Sequence, residues 1–394
     1  RFRHVATSAL LTRKDVIVVA SVSCIYNLGV PEKYLDSVIK LEKEQLLTRG
    51  DLIKQLVRMG FVRNSVAIKR GNFRVRGDVF EIMAASEEVL YRVELTGQKV
   101  SHLALVDAVT RNIKEELSDL IIFPPKHFVT TLPDRERAIK DIKAELKERL
   151  AYFTKNGMLL EAERLERRTK YDLEMIATLG YCHGIENYSR HLSGKLPGEP
   201  PDSLLEYFPK DAQGKPDFLT VIDESHIAVS QIAGMYGGDQ SRKRVLAEHG
   251  WRLPSALDNR PLNFKEFKTR IGTTIFTSAT PGDFEEKVSA NVVEQIVRPT
   301  GLTDPPIEVR PVFDKKTNKS QIDDVMVEAI ATTKRGERTL IITLTKKMAE
   351  ELNEFLLGKG FRSTFMHSDT KTMERSKILA DFRNKEFDIL IGIN

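Results

Sequence analysis

Three rhythms of apolar and polar residues alternate along the chain. Short runs rich in apolar and β-branched residues at 15–20 (DVIVVA), 218–222 (FLTVI) and 273–276 (TTIF) predict buried strands of the kind a parallel sheet holds. Pro31 suits the first turn of a helix. Residues 72–79 and 89–95 alternate like half-buried strands, with Gly71, Gly77 and Gly97 as turn residues, so 41–129 reads as a small β-rich insertion. From Asp134 the period turns helical. Ala138, Ile142, Leu146 and Leu150 recur every four residues, Asn156 and Gly157 offer a stop, and Leu159, Ala162 and Leu165 carry a second amphipathic segment. Packing of the two as a coiled-coil hairpin accounts for that pattern. Beyond Thr339 strands at 339–343, 361–366 and 387–391 alternate with helices at 346–357 and 372–382, which predicts βαβ units around a parallel sheet. The fold class is therefore α/β and multidomain, with two parallel-sheet layers flanking a β-rich and a helical insertion.

Composition narrows this picture only a little. With 41% hydrophobic and 30% charged residues the chain is neither disordered nor fibrous. It has no apolar run of the roughly 18 residues a membrane span needs and no leader-like start, so no membrane partner and a cytoplasmic location are expected. Cys24 and Cys182 stand alone, without a metal-ligand or disulfide pattern. The net charge of +5 is mild, but Arg58, Arg63, Lys69, Arg70, Arg74 and Arg76 follow one another with no acidic residue between them. Such a run is either a solvated basic face or a dock for an acidic partner. The chain starts at Arg1 without Met and stops at Asn394 behind an apolar run, and reads as a piece of a longer protein.

The chemistry sits behind the apolar runs. Asp223, Glu224, Ser225 and His226 follow FLTVI directly, at the carboxyl end of a parallel-type strand where α/β sheets bind ligands. In nucleotide-driven motors an Asp in that place holds the Mg²⁺ bridging the phosphates, and the next Glu orients or deprotonates the attacking water. Ser278, Ala279 and Thr280 follow TTIF. Their hydroxyls are placed to bond the carboxylates and so relay between two sites. Either motif alone is weak, but the ordered pair resembles motifs II and III of superfamily-two helicases.

Longer strings sharpen the resemblance. ASVSCIYNLG (20–29), GNFRVRGD (71–78), GIENYSRH (184–191), RLPSALDNRPL (252–262), RPTGL (298–302) and TLTKKM (343–348) resemble the UvrB family, in its order and over essentially the whole chain. The resemblance implies two RecA-like motor domains, both incomplete. It divides the chain into 1–40 and 206–300 from the first motor domain, a UvrA-interaction domain at 41–129, a DNA-contacting helical domain at 130–205 and part of the second motor domain at 301–394. It further implies ATP and Mg²⁺ as cofactors, with Asp223 the metal-side carboxylate and Glu224, His226, Ser278 and Thr280 its catalytic neighbours. Damaged double-stranded DNA, UvrA and UvrC are the implied partners, in nucleotide excision repair. Arg63, Arg74, Arg76, Arg92 and Glu94 correspond to the UvrA contact, and Arg168, Tyr181, Gln231, Trp251 and Arg252 to the DNA path. A ring can stack on any base for about 1–3 kcal/mol without reading its identity, although Tyr181 and Trp251 taken singly are equally readable as core residues.

The chain departs from the family in lacking any Gly-rich loop ending in Gly-Lys-Ser/Thr, the element that holds phosphates. It stops at Gly392, Ile393 and Asn394, at what resembles the opening of a later helicase motif, before the arginine finger. A finger alone is worth about 10³–10⁵ in rate, so hydrolysis by these residues alone is not expected. The competing readings are a non-catalytic UvrA- and DNA-binding module, a transcription-repair coupling factor, and a general helicase.

Overall fold

The computed structural model describes residues 2–393 apart from 87, 129, 130, 297–300 and 302. Of the RPTGL string only Gly301 is therefore described. Contacts gather into two units, Arg1–Val293 and Glu294–Asn394.

In the first unit α1 (Phe2–Thr12) and α2 (Pro31–Asp36) flank an extended stretch. Pro31 heads α2 as its sequence position predicts, and Tyr34 is wholly buried, stacked on His127 and Phe123 at ring separations of 5.2 and 5.7 Å. The 15–20 run is not a buried strand. Ile17 and Val19 are 94% and 96% exposed and pair with no strand of the described residues. An apolar run becomes a buried strand only where neighbours take its hydrogen bonds and cover its faces, and here none does.

The β-rich insertion begins with β1 (Ile39–Glu42) and α3 (Arg49–Arg58), whose N-cap Thr48 accepts from the Asp51 N–H. Then come β2 (Val62–Arg63), β3 (Asn72–Arg76), β4 (Val79–Met83), β5 (Val89–Thr96), β6 (Lys99–Asp107), β7 (Ile113–Glu116) and β8 (Asp119–Ile122). Strands β2 to β7 form one sheet in sequence order, while β8 pairs antiparallel with β1. Gly77, at φ +58, opens the two-residue loop between β3 and β4, a position that needs a positive φ. The side-chain period of two puts Phe73, Phe80, Ile82, Val93 and Leu103 on one face against Leu52 and Leu56 of α3, all buried. It puts Arg74, Glu81 and Arg92 in register across the other face.

Helices α4 (Leu132–Lys155) and α5 (Leu159–Leu179) form an antiparallel hairpin, followed by the short α6 (Ser189–Ser193). Thr131 caps α4 by accepting from Asp134, and Gly180 at φ +68 ends α5. Ala138, Ile142 and Leu146 are buried as their spacing predicts, against Leu165, Leu173 and Ile176. Leu159, expected on that face, is 65% exposed. Counting back from Leu165 at 100° per residue, position 159 falls about 120° off the buried stripe, whereas Ala162 stays close to it.

The unit closes with β9 (Thr220–Ile222), α7 (Ser225–Glu248), α8 (Phe264–Lys268), β10 (Thr274–Phe276) and α9 (Asp283–Val288). The two strands pair in parallel, with Ile222 beside Phe276. They are buried on one face only: Ile222 packs with Ile25, Val229, Ile232, Leu262 and Phe267, while Val221 and Ile275 are 57% and 47% exposed. The two-faced burial expected of these runs needs a second covering layer, which the described residues do not supply.

The second unit starts with the β11 (Phe313–Asp314) and β12 (Lys319–Ser320) ribbon. After α10 (Gln321–Lys334), β13 (Thr339–Thr343), α11 (Lys346–Gly358), β14 (Ser363–Met366), α12 (Thr372–Arg383) and β15 (Ile389–Ile393) alternate as predicted. Their parallel sheet has the order β13-β15-β14 and packs Ile389 and Ile391 on Ala329, Ala349 and Leu356. No helix of the described residues is long and apolar enough to cross a membrane.

Candidate nucleotide and nucleic-acid sites

The pairing of β9 with β10 carries both chemical motifs to one sheet edge. Asp223 and Glu224 leave β9 where Thr277 and Ser278 leave β10, and the N–H of Ser225 donates to the Thr277 carbonyl over 3.1 Å. Glu224 takes the left-handed conformation at φ +46 as it caps α7. That is an uncommon state for a residue with a Cβ, and it turns the chain from strand into helix with both carboxylates exposed. Across the edge Thr277 Oγ1 donates to Asp223 Oδ1 at 2.8 Å, and His226 Nδ1 shares a 2.6 Å hydrogen bond with Ser278 Oγ. Glu224 Oε2 lies 3.6 Å from the same His226 nitrogen.

The motif pair is thus physically joined, though not as its hydroxyls suggested. Asp223 is bonded by Thr277, which precedes the SAT triplet, while Ser278 serves His226 and the backbone N–H of Thr280 donates to Ser278 Oγ at 3.0 Å. A clue to Thr277 was available: it sits at the end of an apolar run, in register to follow Phe276. The donor set of Asp223 and Glu224 is hard oxygen at an open sheet edge, which fits Mg²⁺ shared with phosphates and water. Among the described residues no group of three or more His, Cys, Asp or Glu is placed to hold a metal by itself.

Three of the residues expected on the DNA path meet in one cleft. Arg168 of α5, Trp251 and Arg252 line it with Leu165, Thr169 and Leu253. Trp251 is half exposed, with the Arg164 guanidinium 4.1 Å from its ring centre. Arg168 Nε donates to Asp172 Oδ2 at 3.1 Å, and that oxygen also accepts from the buried Tyr188 hydroxyl at 2.8 Å. One flank of Arg168 is thereby fixed. Tyr181 lies apart from that cleft with Lys126 Nζ 3.7 Å over its ring; burial raises the phenol and lowers the ammonium from their ordinary pKa values. Gln231 is exposed on the first half of α7. Arg164 and Lys126 were missed in the sequence, because a cation stacked on a ring leaves no fixed spacing to read.

The expected docking residues mostly share the outer face of the six-stranded sheet. Arg74 donates through Nε to Glu81 at 2.8 Å, and Arg92 pairs with Glu94 at 2.7 Å. His102, unnoticed in sequence, lies between Glu94 at 3.7 Å and Glu116 at 2.5 Å. Arg76 is exposed at the end of β3, whereas Arg63 on β2 is in register with Phe73 and so lies off the Arg74 row.

Three family models match parts of the chain. The UvrB interaction domain model matches residues 39–128, the UvrB third helical domain model matches 133–194, and the Helicase conserved C-terminal domain model matches 320–394. UvrABC system protein B of Streptococcus pneumoniae strain Hungary19A-6, and that of strain CGSP14, are each 51% identical over 395 residues, covering 100% of this chain. The chain spans 58% of the length of these relatives. The solved structure of S. cerevisiae Dbp5 bound to RNA and ADP BeF3 covers 54% of each chain at 14% identity and a TM-score of 0.25, a likeness too slight to argue from. With two UvrB domain models matched in order and 51% identity to UvrB proteins along its whole length, the chain belongs to the UvrB family.

Proposed function

We propose that the protein carrying this chain is the damage-recognition and verification subunit of a UvrABC excision repair system in the cytoplasm. It receives DNA from UvrA, separates the strands locally at the expense of ATP, and loads UvrC for incision. The observation that carries this reading is the joined edge after β9 and β10, where Thr277 orients Asp223 and Ser278 orients His226. Asp223 would hold the Mg²⁺ that accompanies the nucleotide, and Glu224 beside it would take the proton of an attacking water. Bound Mg²⁺ supplies charge neutralisation along the phosphates. The His226 and Ser278 bond ties the carboxylate turn to the segment after β10, so a change at one is felt at the other. Arg168, Trp251 and Arg252 offer the sequence-indifferent combination of phosphate contact and stacking that damage probing needs. The outer sheet face, with Arg74, Arg76, Arg92 and Glu94, serves as the UvrA dock, where guanidinium forks suit carboxylates.

The test is ATP hydrolysis by the full-length protein with UvrA and lesion-bearing duplex, with and without Asp223→Asn. Hydrolysis that disappears in the variant supports the motor reading. A full-length protein that binds UvrA and DNA but never hydrolyses ATP leaves a binding module instead.

A further inference from the structure

Helix α7 runs from the carboxylate turn to the Trp251 cleft, and its two halves are held by different neighbours. Its first half buries Ser225, Val229 and Ile232, the latter two in the core under β9 and β10. Its second half is held by polar contacts to the helical domain and to the 254–259 turn. Asp239 and Lys243 form a buried ion pair at 2.9 Å, Lys243 Nζ also donates to the Asn259 carbonyl, and Gln240 Nε2 donates to the Leu257 carbonyl at 2.7 Å. That turn is itself tied to α4 and α6: Ser255 N–H donates to Glu145 at 2.7 Å and Arg190 to Asp258 at 2.9 Å. The last carbonyls at the α7 end are capped from the hairpin, Ala247 by Arg149 at 3.1 Å and His249 by Arg164 at 2.8 Å. Two residues later come Trp251 and Arg252.

Between these anchors lie Gly234, Gly237 and Gly238, all exposed. A Cβ built on any of the three meets nothing within 4 Å, and none has a positive φ. Neither packing nor backbone geometry therefore requires glycine. Each one costs a helix interior about 1 kcal/mol against alanine, so the middle of α7 is its weakest part while both ends are clamped. Glycine clusters are among the identifiable causes of helix bending.

We propose that Gly234, Gly237 and Gly238 form a bending joint in α7 that couples the nucleotide carboxylates to the Trp251 and Arg252 cleft. This rests on the nucleotide reading above for its consequence, though not for the joint itself. Bending there lets the first half follow the Asp223 turn while the second half moves with the hairpin. Replacement by alanine stiffens the joint without filling any occupied space.

The experiment uses the full-length protein and the combined Gly234→Ala, Gly237→Ala, Gly238→Ala variant, with Gly234→Ala alone as the fallback if the combination folds poorly. Amide hydrogen exchange across 234–241 should be at least tenfold faster in the parent than in the variant. ATP hydrolysis without DNA should stay within twofold, affinity for DNA should be unchanged, and stimulation of hydrolysis by damaged duplex should fall at least fivefold. Unchanged stimulation, or exchange no faster in the parent, overturns the joint. A loss of DNA affinity also overturns it, since the glycines then form a bare contact face. If Asp223→Asn still hydrolyses ATP the nucleotide reading fails, and the exchange measurement tells whether the joint survives that failure.

Discussion

Thr277 Oγ1 donates to Asp223 Oδ1 across 2.8 Å, binding the residue that follows β10 to the residue that follows β9. Both are exposed, and among the described residues no other side-chain hydrogen bond fixes the carboxylate in one orientation.

Thr277→Val keeps the shape and removes the donor. A hydrogen bond to a charged group contributes about 1.5–3 kcal/mol, and about 1.4 kcal/mol is tenfold in rate. In the full-length protein kcat for ATP should fall about tenfold or more, with the unfolding temperature nearly unchanged because the side chain is exposed. A kcat equal to that of the parent sinks the orienting role.

That bond also marks the limit of what the sequence reveals. Strand-length runs locate β9 and β10, and the alternation beyond 339 locates β13 to β15 with α11 and α12, because those signals are local, whereas β11, β12 and α10 lie ahead of that alternation and were not predicted from it. Which strand neighbours which is not local, so the hydroxyl reaching Asp223 was misassigned by one to three residues. The 15–20 run shows the same limit from the other side. Its composition states that Ile17 and Val19 suit burial, not whether anything is there to bury them. Charge rows are more legible within one strand, since Arg74 and Arg76 on β3, and Arg92 and Glu94 on β5, share a face by period alone, but Arg63 misleads because β2 has only two residues and its own register.

The stacked imidazoles of His4 and His127, 4.0 Å apart, join α1 to the segment after β8. Burial, reinforced by neighbouring positive charge, holds His4 down to about 4 and His127 to about 3. The unfolded chain binds these protons near the ordinary value of about 6.5. Between those values the unfolded state carries more protons, so stability is full above about pH 6.5 and falls as pH drops towards 4. From pH 7 to pH 5 each histidine should contribute a loss on the order of 2 kcal/mol. In urea titrations His127→Phe should remove about one such share from the pH dependence. An unaltered pH slope contradicts the buried neutral pair.

Gly250 follows α7 at φ +68, and a Cβ there would stand 2.4 Å from the Glu161 carbonyl oxygen. Both the left-handed backbone, at about 1–2 kcal/mol for a residue with a Cβ, and the collision oppose any side chain. Gly250→Ala should lower the urea midpoint by an amount corresponding to at least about 2 kcal/mol. It should also loosen the Arg164 contact to His249, visible as a change in Trp251 fluorescence. Parent-like stability would mean that the hairpin is not seated on this turn.

On the outer sheet face Arg74 and Arg76 separate two ways of losing a docking contact. Arg74 is largely buried against Glu81, and its loss leaves that carboxylate, among the described residues, the more distant Arg111 at 3.7 Å. Arg76 is exposed at the strand end, so its removal disturbs no partner of comparable burial. If the face docks UvrA, Arg76→Ala should weaken UvrA binding about tenfold, the scale of a 1–2 kcal/mol interface residue, with no change in urea midpoint. Arg74→Ala should weaken binding and also lower stability by about 1 kcal/mol or more, because a half-buried carboxylate loses its main partner. The contrast is read by titrating labelled UvrA against each variant at two salt concentrations, since a charged rim contact weakens as salt rises. Full UvrA affinity in both variants places the dock elsewhere. Lost affinity in Arg74→Ala alone assigns it to the ordering of Glu81 rather than to the exposed basic row.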